Sequence, residues 1–173
     1  MPTVRTLELV GTLAVVIFGF LLHFAYAWSG SRLVTAVAPA NESVWEHLKL
    51  VVIPVTVLGA VEMRWVMDRR RLWWAKLVEI VVACSFIVAF FYTYTGAFGV
   101  RSITAVDIAS FFVAVAVGQW ASYRLISSSG RVPRLWVSVT GTMVLMISFA
   151  MLTFEPPHIP LFQETSTGAY GPS

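Results

Sequence analysis

Five long apolar stretches dominate this sequence and restrict what it can fold into. A bilayer core about 30 Å thick needs roughly 20 mostly apolar helical residues to cross it. Inside lipid, a helix satisfies its own backbone polar groups, and none of the stretches alternates as an outer-membrane strand does. The sequence therefore predicts an all-α membrane protein, one domain over residues 1–173, built as a bundle of five transmembrane helices at 7–28, 48–67, 72–95, 103–125 and 135–154.

The composition excludes the usual soluble classes. Apolar residues make up 58% of the 173 residues and charged residues only 12%, against about 45–50% and about 25% in soluble domains. A globule of this size has too much surface to cover with so few charges. A soluble enzyme and a disordered chain are therefore excluded, and the single cysteine excludes a disulfide scaffold.

The distribution of basic residues predicts the orientation. With the N-terminus in the cytoplasm, nine Lys and Arg lie on the cytoplasmic side and three on the other, which follows the positive-inside rule. The basic excess is thereby explained without a nucleic-acid partner. Residues 25–27 (AYA) resemble a signal-peptide cleavage site, but the apolar stretch before them is longer than an ordinary signal peptide has. We expect this first span to be retained. We also expect the N-terminus to lie in the cytoplasm and the C-terminus outside it (N-in and C-out).

The C-terminal tail, residues 155–173, cannot continue the fifth helix. Three prolines between 156 and 160 remove backbone donors and fix φ. Apolar residues Ile159, Leu161 and Phe162 then supply anchors that a free tail would not need. We expect the Pro-rich tail to fold over the outer face of the bundle.

All three histidines fall on the predicted outer side, close to carboxylates and amides. Ionisable residues in or beside a bilayer are costly, and a functional site is their default explanation. Imidazole and carboxylate are ligands of Zn²⁺ and related divalent ions, and histidine also relays protons. The catalytic candidates are Glu46, His47 and His158; these three and His23 are the metal-ligand candidates; the ligand-binding candidates are Asn41, Glu42, Tyr92 and Asp107.

Simpler explanations exist for two of these carboxylates. Ser43 and Glu46 have the spacing of a capping box, in which each side chain satisfies a backbone N–H at a helix start. Thr104 and Asp107 repeat that spacing at the start of the fourth span. Both acids also suit the positive end of a helix dipole.

An inner polar pair, Glu62 and Glu79, lies on neighbouring spans near the cytoplasmic end. An ion pair with a nearby base such as Lys76 is the simpler interpretation. The alternative is a proton or cation pathway, which would make the protein a small transporter or channel.

Residues 41–49 (NESVWEHLK) and 156–171 (PPHIPLFQETSTGAYG) resemble a family of small bacterial polytopic integral membrane proteins classed as a domain of unknown function. The resemblance implies a multi-pass protein of the bacterial plasma (inner) membrane. It brings no activity, substrate or cofactor. It further implies that the family hallmarks are matched here at Asn41, Glu42, Ser43, Trp45, Glu46, His47, Lys49, Pro157, Pro160, Gly168, Tyr170 and Gly171.

Together these features predict a membrane protein with a histidine and carboxylate site at its extracytoplasmic face. That site would hold a divalent metal such as Zn²⁺, or act on a lipid-like or small ligand reaching it from the bilayer. A non-catalytic membrane subunit, working with a partner or as a homo-oligomer, is the alternative, and a small transporter is a further one. The sequence leaves open whether the protein is an enzyme.

Overall fold

The computed structural model describes residues 3–172, which form five long α-helices. These are α1 (Val4–Ser29), α2 (Val44–Glu62), α3 (Arg69–Phe98), α4 (Thr104–Ile126) and α5 (Leu135–Phe154). All five are long and apolar enough to cross a membrane. Within residues 3–172 the only β pairing is an isolated bridge between Gln163 and Tyr170. The predicted all-α architecture, with five helices long and apolar enough to span a membrane, is confirmed.

The second helix differs most from its predicted bounds of 48–67. It begins at Val44 because the Ser43 hydroxyl accepts a hydrogen bond from the Glu46 amide and caps the helix. It ends at Glu62 although the next five residues are largely apolar, and Asp68 then caps α3 by accepting from the Arg71 amide. The apolar sequence pattern therefore extends beyond the end of α2 and through the turn before α3, so it does not reveal where α2 ends.

Helix α2 is the most enclosed of the five and lies against α1, α3 and α5. The central core is almost wholly aliphatic, with residues such as Val15, Val51, Val55, Ile80 and Ala114 fully buried. Large apolar side chains on the outer helix faces are exposed, as a lipid-facing surface requires. The helices therefore pack around an apolar centre and present a hydrophobic exterior.

The bundle has two distinct ends. The arginine end consists of turn 63–68, loop 127–134 and the adjoining helix ends. Arg71 donates to the Leu125 carbonyl at the end of α4 and, in the loop, to the Ser128 hydroxyl and the Gly130 carbonyl. The tail end consists of loop 30–43, loop 99–103 and residues 155–172. Polar side chains concentrate at both ends and leave the apolar core between them.

Candidate metal centre

At the tail end, three side chains come together from two helices and the loop between them. His23 lies about two turns before the end of α1. Glu42 directly precedes the Ser43 cap of α2, and His47 is in the first turn of that helix. The capped start of α2 therefore places Glu42 and His47 beside the last turns of α1.

The three side chains form a compact triangle. One ligand atom from each lies within 4.8 Å of the other two, and residues 3–172 contain no other such group of three. His47 Nε2 is 3.3 Å from Glu42 Oε2, and His23 Nε2 is 4.0 Å from Glu42 Oε1. The ring centroids of the two histidines are 5.3 Å apart. Both imidazoles therefore direct a ring nitrogen at the same carboxylate.

The tautomer of His47 is set by a neighbouring carbonyl. Its Nδ1 lies 2.9 Å from the Ser43 carbonyl oxygen, and because a carbonyl only accepts, Nδ1 carries the proton. In the neutral ring, Nε2 then presents a lone pair to the Glu42 carboxylate, which also only accepts. Two acceptors at 3.3 Å need a cation between or beside them, which is either a proton on His47 or a bound metal ion.

Glu42 is a charged carboxylate at this site. Its hydrogen bond with His47 holds the pKa of Glu42 below the usual value, against the opposing effect of partial burial, and the nearby imidazoles act in the same direction as that hydrogen bond. The side chain remains 56% exposed. An ionised, accessible carboxylate beside two imidazoles is a donor set suited to a divalent cation.

The C-terminal tail contacts the segment that carries Glu42. The side-chain amide nitrogen of Asn41 donates to the Gly171 backbone carbonyl at 2.8 Å. The side-chain oxygen of Asn41 accepts from the Ser43 backbone N–H at 2.9 Å. The Thr165 hydroxyl donates to the Glu42 carbonyl at 3.1 Å. These contacts fix the backbone on both sides of the Glu42 side chain.

His158 is not part of this triangle. Its ring packs edge-on against Tyr170 at a centroid distance of 4.7 Å, within the tail, and the residue is exposed. The structure thus brings together two of the predicted histidines, His23 and His47, and gives the third a contact with an aromatic ring.

Glu46 is buried and engaged with other partners. Its carboxylate lies 2.7 Å from the Lys49 ammonium, and it accepts from the Ala40 amide and the Thr153 hydroxyl at 2.8 Å each. Lys49, itself fully buried, also donates to the Thr35 carbonyl at 2.6 Å. The capping box is therefore only half formed, since Ser43 caps the helix while the Glu46 carboxylate pairs with Lys49.

Asp107 holds the loop between α3 and α4. It accepts from the Tyr94 hydroxyl at 2.5 Å and from the Ser102 hydroxyl at 2.6 Å. The helix cap itself falls on Ile103, which offers no side-chain hydrogen bond, so the second predicted capping box is absent. Tyr92 is exposed on α3 at this end of the bundle.

A second polar cluster lies near the arginine end, and it contains the predicted inner pair. The Lys76 ammonium is 3.0 Å from Glu62 and 3.1 Å from Glu79, so the predicted ion pair is present. Sequence reasoning missed Glu8 and Gln119, which complete the cluster from α1 and α4.

Five helices that are long and apolar enough to cross a bilayer indicate the class, a multi-pass membrane protein. The chain belongs to the family of unknown function DUF6512, whose family model matches residues 2–172. No curated protein and no solved structure matches the chain. Membership of an uncharacterised family agrees with the resemblance described above, whereas the hallmark role of the two segments and the bacterial origin stay predictions.

Proposed function

We propose that this protein binds a divalent transition metal ion, with Zn²⁺ the first candidate, through His23, Glu42 and His47. The observation that carries the proposal is the convergence of two imidazole nitrogens and one carboxylate within 4.8 Å. Two histidines and one glutamate form the ligand set of many zinc sites, in which a fourth position stays open for water or substrate.

The surroundings of the triangle support this assignment. Metal-binding histidines usually donate their second ring nitrogen to a carbonyl or carboxylate, which fixes the ring and its tautomer. The Ser43 carbonyl does this for His47. Both histidine side chains are about 30% exposed, so an ion and a fourth ligand have access from the membrane surface.

The position of the site indicates the class of ligand that the open position would take. The triangle lies at a helix end, and the exposed aromatic and aliphatic face of α1, including Phe20 and Trp28, runs beside it. A lipid headgroup or another amphiphile arriving from the bilayer would meet the metal with its oxygen atoms. Oxygen donors of phosphate or carbonyl groups are suitable fourth ligands for Zn²⁺.

We further propose that the tail end faces outward from the cytoplasm. Nine of the twelve Lys and Arg residues lie on or near the opposite end, which the positive-inside rule places in the cytoplasm. Ser31→Cys and Ser128→Cys, each made in a Cys84→Ser background, test this orientation in intact cells. A membrane-impermeant thiol reagent should label the first and spare the second, and the reverse pattern would overturn the orientation.

Metal binding is tested by titrating purified, metal-free protein in detergent micelles with Zn²⁺ and with Co²⁺. Wild type should bind one ion, and the Co²⁺ form should show the absorption bands of four-coordinate nitrogen and oxygen ligation. His23→Gln, Glu42→Gln and His47→Gln should each lose at least tenfold in affinity. His158→Gln and Glu155→Gln are matched controls that should bind as wild type does. Equal affinity in wild type and His47→Gln would refute the site.

A further inference from the structure

The cluster at the arginine end joins four helices around one lysine. Lys76 Nζ lies 3.0 Å from Glu62 Oε2, 3.1 Å from Glu79 Oε2 and 3.5 Å from Glu8 Oε1. Helix α4 adds the Gln119 side-chain amide and the Ser122 hydroxyl, which both donate to the Glu8 carboxylate. Three carboxyl groups from α1, α2 and α3 therefore face a single ammonium group.

Burial of this cluster is nearly complete. Lys76 is 0% exposed and its three carboxylate partners are 4% exposed or less. Three glycines, Gly11, Gly59 and Gly118, allow the close approach, because a Cβ at Gly59 would lie 3.1 Å from the Lys76 stem and one at Gly118 would lie 2.8 Å from the Glu79 carbonyl. Helix α5 carries no titratable residue. No further titratable group of residues 3–172 forms a hydrogen bond or ion pair with the cluster.

The charges of the cluster do not balance. If all three carboxyls were ionised, the ammonium would leave two negative charges uncompensated inside a membrane-spanning bundle. Such charges are strongly disfavoured away from water, and carboxylates that share a site do not all ionise together. The cluster therefore needs two additional positive charges.

Several buried oxygen atoms in the cluster also lack a hydrogen-bond donor. Glu62 Oε1, Glu79 Oε1 and the Gln119 side-chain carbonyl have no hydrogen-bond partner among residues 3–172. The Gln119 carbonyl can only accept, and its residue is 3% exposed. A protonated carboxyl group has an O–H that would supply the missing donor.

We infer that Glu8, Glu62 and Glu79 form a proton-binding site that holds two exchangeable protons around Lys76. Protons fit the geometry better than a metal cation, because the ammonium already occupies the position that all three carboxylates face. A metal ion needs several oxygens converging on one point, whereas each proton needs one oxygen.

Protons would reach this site from the arginine end. Glu62 is the last residue of α2, while Glu8 and Glu79 lie within the first three turns of their helices. Toward the tail end, the aliphatic core around Val55 and Ile80 separates the cluster from the metal triangle. The inference is independent of the proposed metal site, since the two share no residue.

The test is infrared difference spectroscopy of the full chain reconstituted in liposomes. Protonated carboxyl groups absorb at a different infrared frequency from carboxylates, and this frequency shifts in D₂O. Both the number of protonated carboxyl groups and the exchange of their protons are therefore measurable. Wild type should show two protonated carboxyls per chain at neutral pH, lost on alkaline titration. Glu62→Gln and Glu79→Gln should each halve this absorption, and Glu155→Gln, an exposed carboxyl outside the cluster, should leave it unchanged.

Two results would overturn the inference. One is the absence of protonated carboxyl absorption in wild type at neutral pH. The other is absorption that responds to Na⁺ at constant pH and not to pH. If Glu62→Gln proves unstable, Glu8→Gln provides the same halving from α1, and the wild-type titration alone decides whether protons are bound.

Discussion

Replacement of Lys49 by methionine tests whether Glu46 is structural or available to a ligand. The Lys49 ammonium is fully buried and sits 2.7 Å from Glu46 and 2.6 Å from the Thr35 carbonyl. Methionine keeps most of the side-chain volume but removes the charge and its hydrogen bonds. Glu46 is then left as a buried carboxylate without a counter-charge, while it still accepts from Ala40 and Thr153.

The expected cost follows from these contacts. Hydrogen bonds to charged groups contribute about 1.5–3 kcal/mol each, and removal of one member of a buried ion pair costs about 3–5 kcal/mol. We expect Lys49→Met to lower the free energy of unfolding by about 3–5 kcal/mol on that basis. In a chain of this size, that corresponds to a melting temperature about 10 °C lower.

The assay is thermal or detergent-induced unfolding of purified protein in micelles. Glu46→Gln in the Lys49→Met background removes the orphan charge and should restore about 2 kcal/mol, a coupling typical of residues in contact. Arg101→Met, an exposed cation at the same end, is the control and should change stability by less than about 0.5 kcal/mol. Equal effects of Lys49→Met and Arg101→Met would refute the pairing.

The same variants also separate the two glutamates at the start of α2, Glu42 before the Ser43 cap and Glu46 in the first turn. Zn²⁺ affinity should be unchanged in Glu46→Gln, provided that the protein is folded, and it should fall in Glu42→Gln. Loss of zinc in Glu46→Gln at full stability would mean that Glu46 is a ligand and that its pairing with Lys49 is broken on metal binding.

Three further results are expected. Gly118→Ala should destabilise the protein by about 1–3 kcal/mol in the same unfolding assay, because the added Cβ would lie 2.8 Å from a backbone carbonyl oxygen of α3. Gly96→Ala is the control: a Cβ there has nothing within 4 Å, so this change should be neutral or slightly stabilising. The hydrogen bond with His47 lowers the pKa of Glu42 in the folded protein. The stabilisation that Glu42 contributes is therefore complete above the pKa of Glu42 in the unfolded chain, and it is lost as the pH falls through the lower pKa of the folded state. Glu42→Gln should abolish this acid-dependent part of a stability–pH profile. Asn41→Ala removes the side-chain hydrogen bond to the Gly171 carbonyl of the tail and the local one from the Ser43 amide. It should raise amide exchange across residues 155–172, and an unchanged exchange pattern would show that the bond to the tail is dispensable.

The spanning helices were predictable because apolar length alone determines what crosses a bilayer. Their ends were less so. Residues 63–67 remain mostly apolar, and the end of α2 depends on Trp65 and Val66 donating back to the Glu62 carbonyl. Such turn contacts leave no trace in a hydropathy pattern.

The metal triangle was predictable in kind but not in membership. The sequence placed histidines and carboxylates on one side, yet four glutamates and three histidines were available there. Lys49, three residues after Glu46, was the signal that could have assigned that glutamate to an ion pair. Glu8 carried no such signal, because Gln119 lies 111 residues away in the chain.

The two buried lysines differ in the number of carboxylates that they face, and this difference distinguishes the two ends of the bundle. Lys49 meets one carboxylate together with neutral oxygens, so its site is neutral overall, as a purely structural pair requires. Lys76 meets three carboxylates from three helices. Removing Lys49 leaves one carboxylate without a counter-charge, whereas removing Lys76 leaves three neighbouring carboxyls, which share two protons in the proposed site. One further proton then neutralises those three carboxyls, so the cost of Lys76→Met should fall as the pH is lowered. A lysine needed only to join helices would require one carboxylate, and the two extra carboxyls of the Lys76 cluster therefore argue for proton binding as the reason they are there.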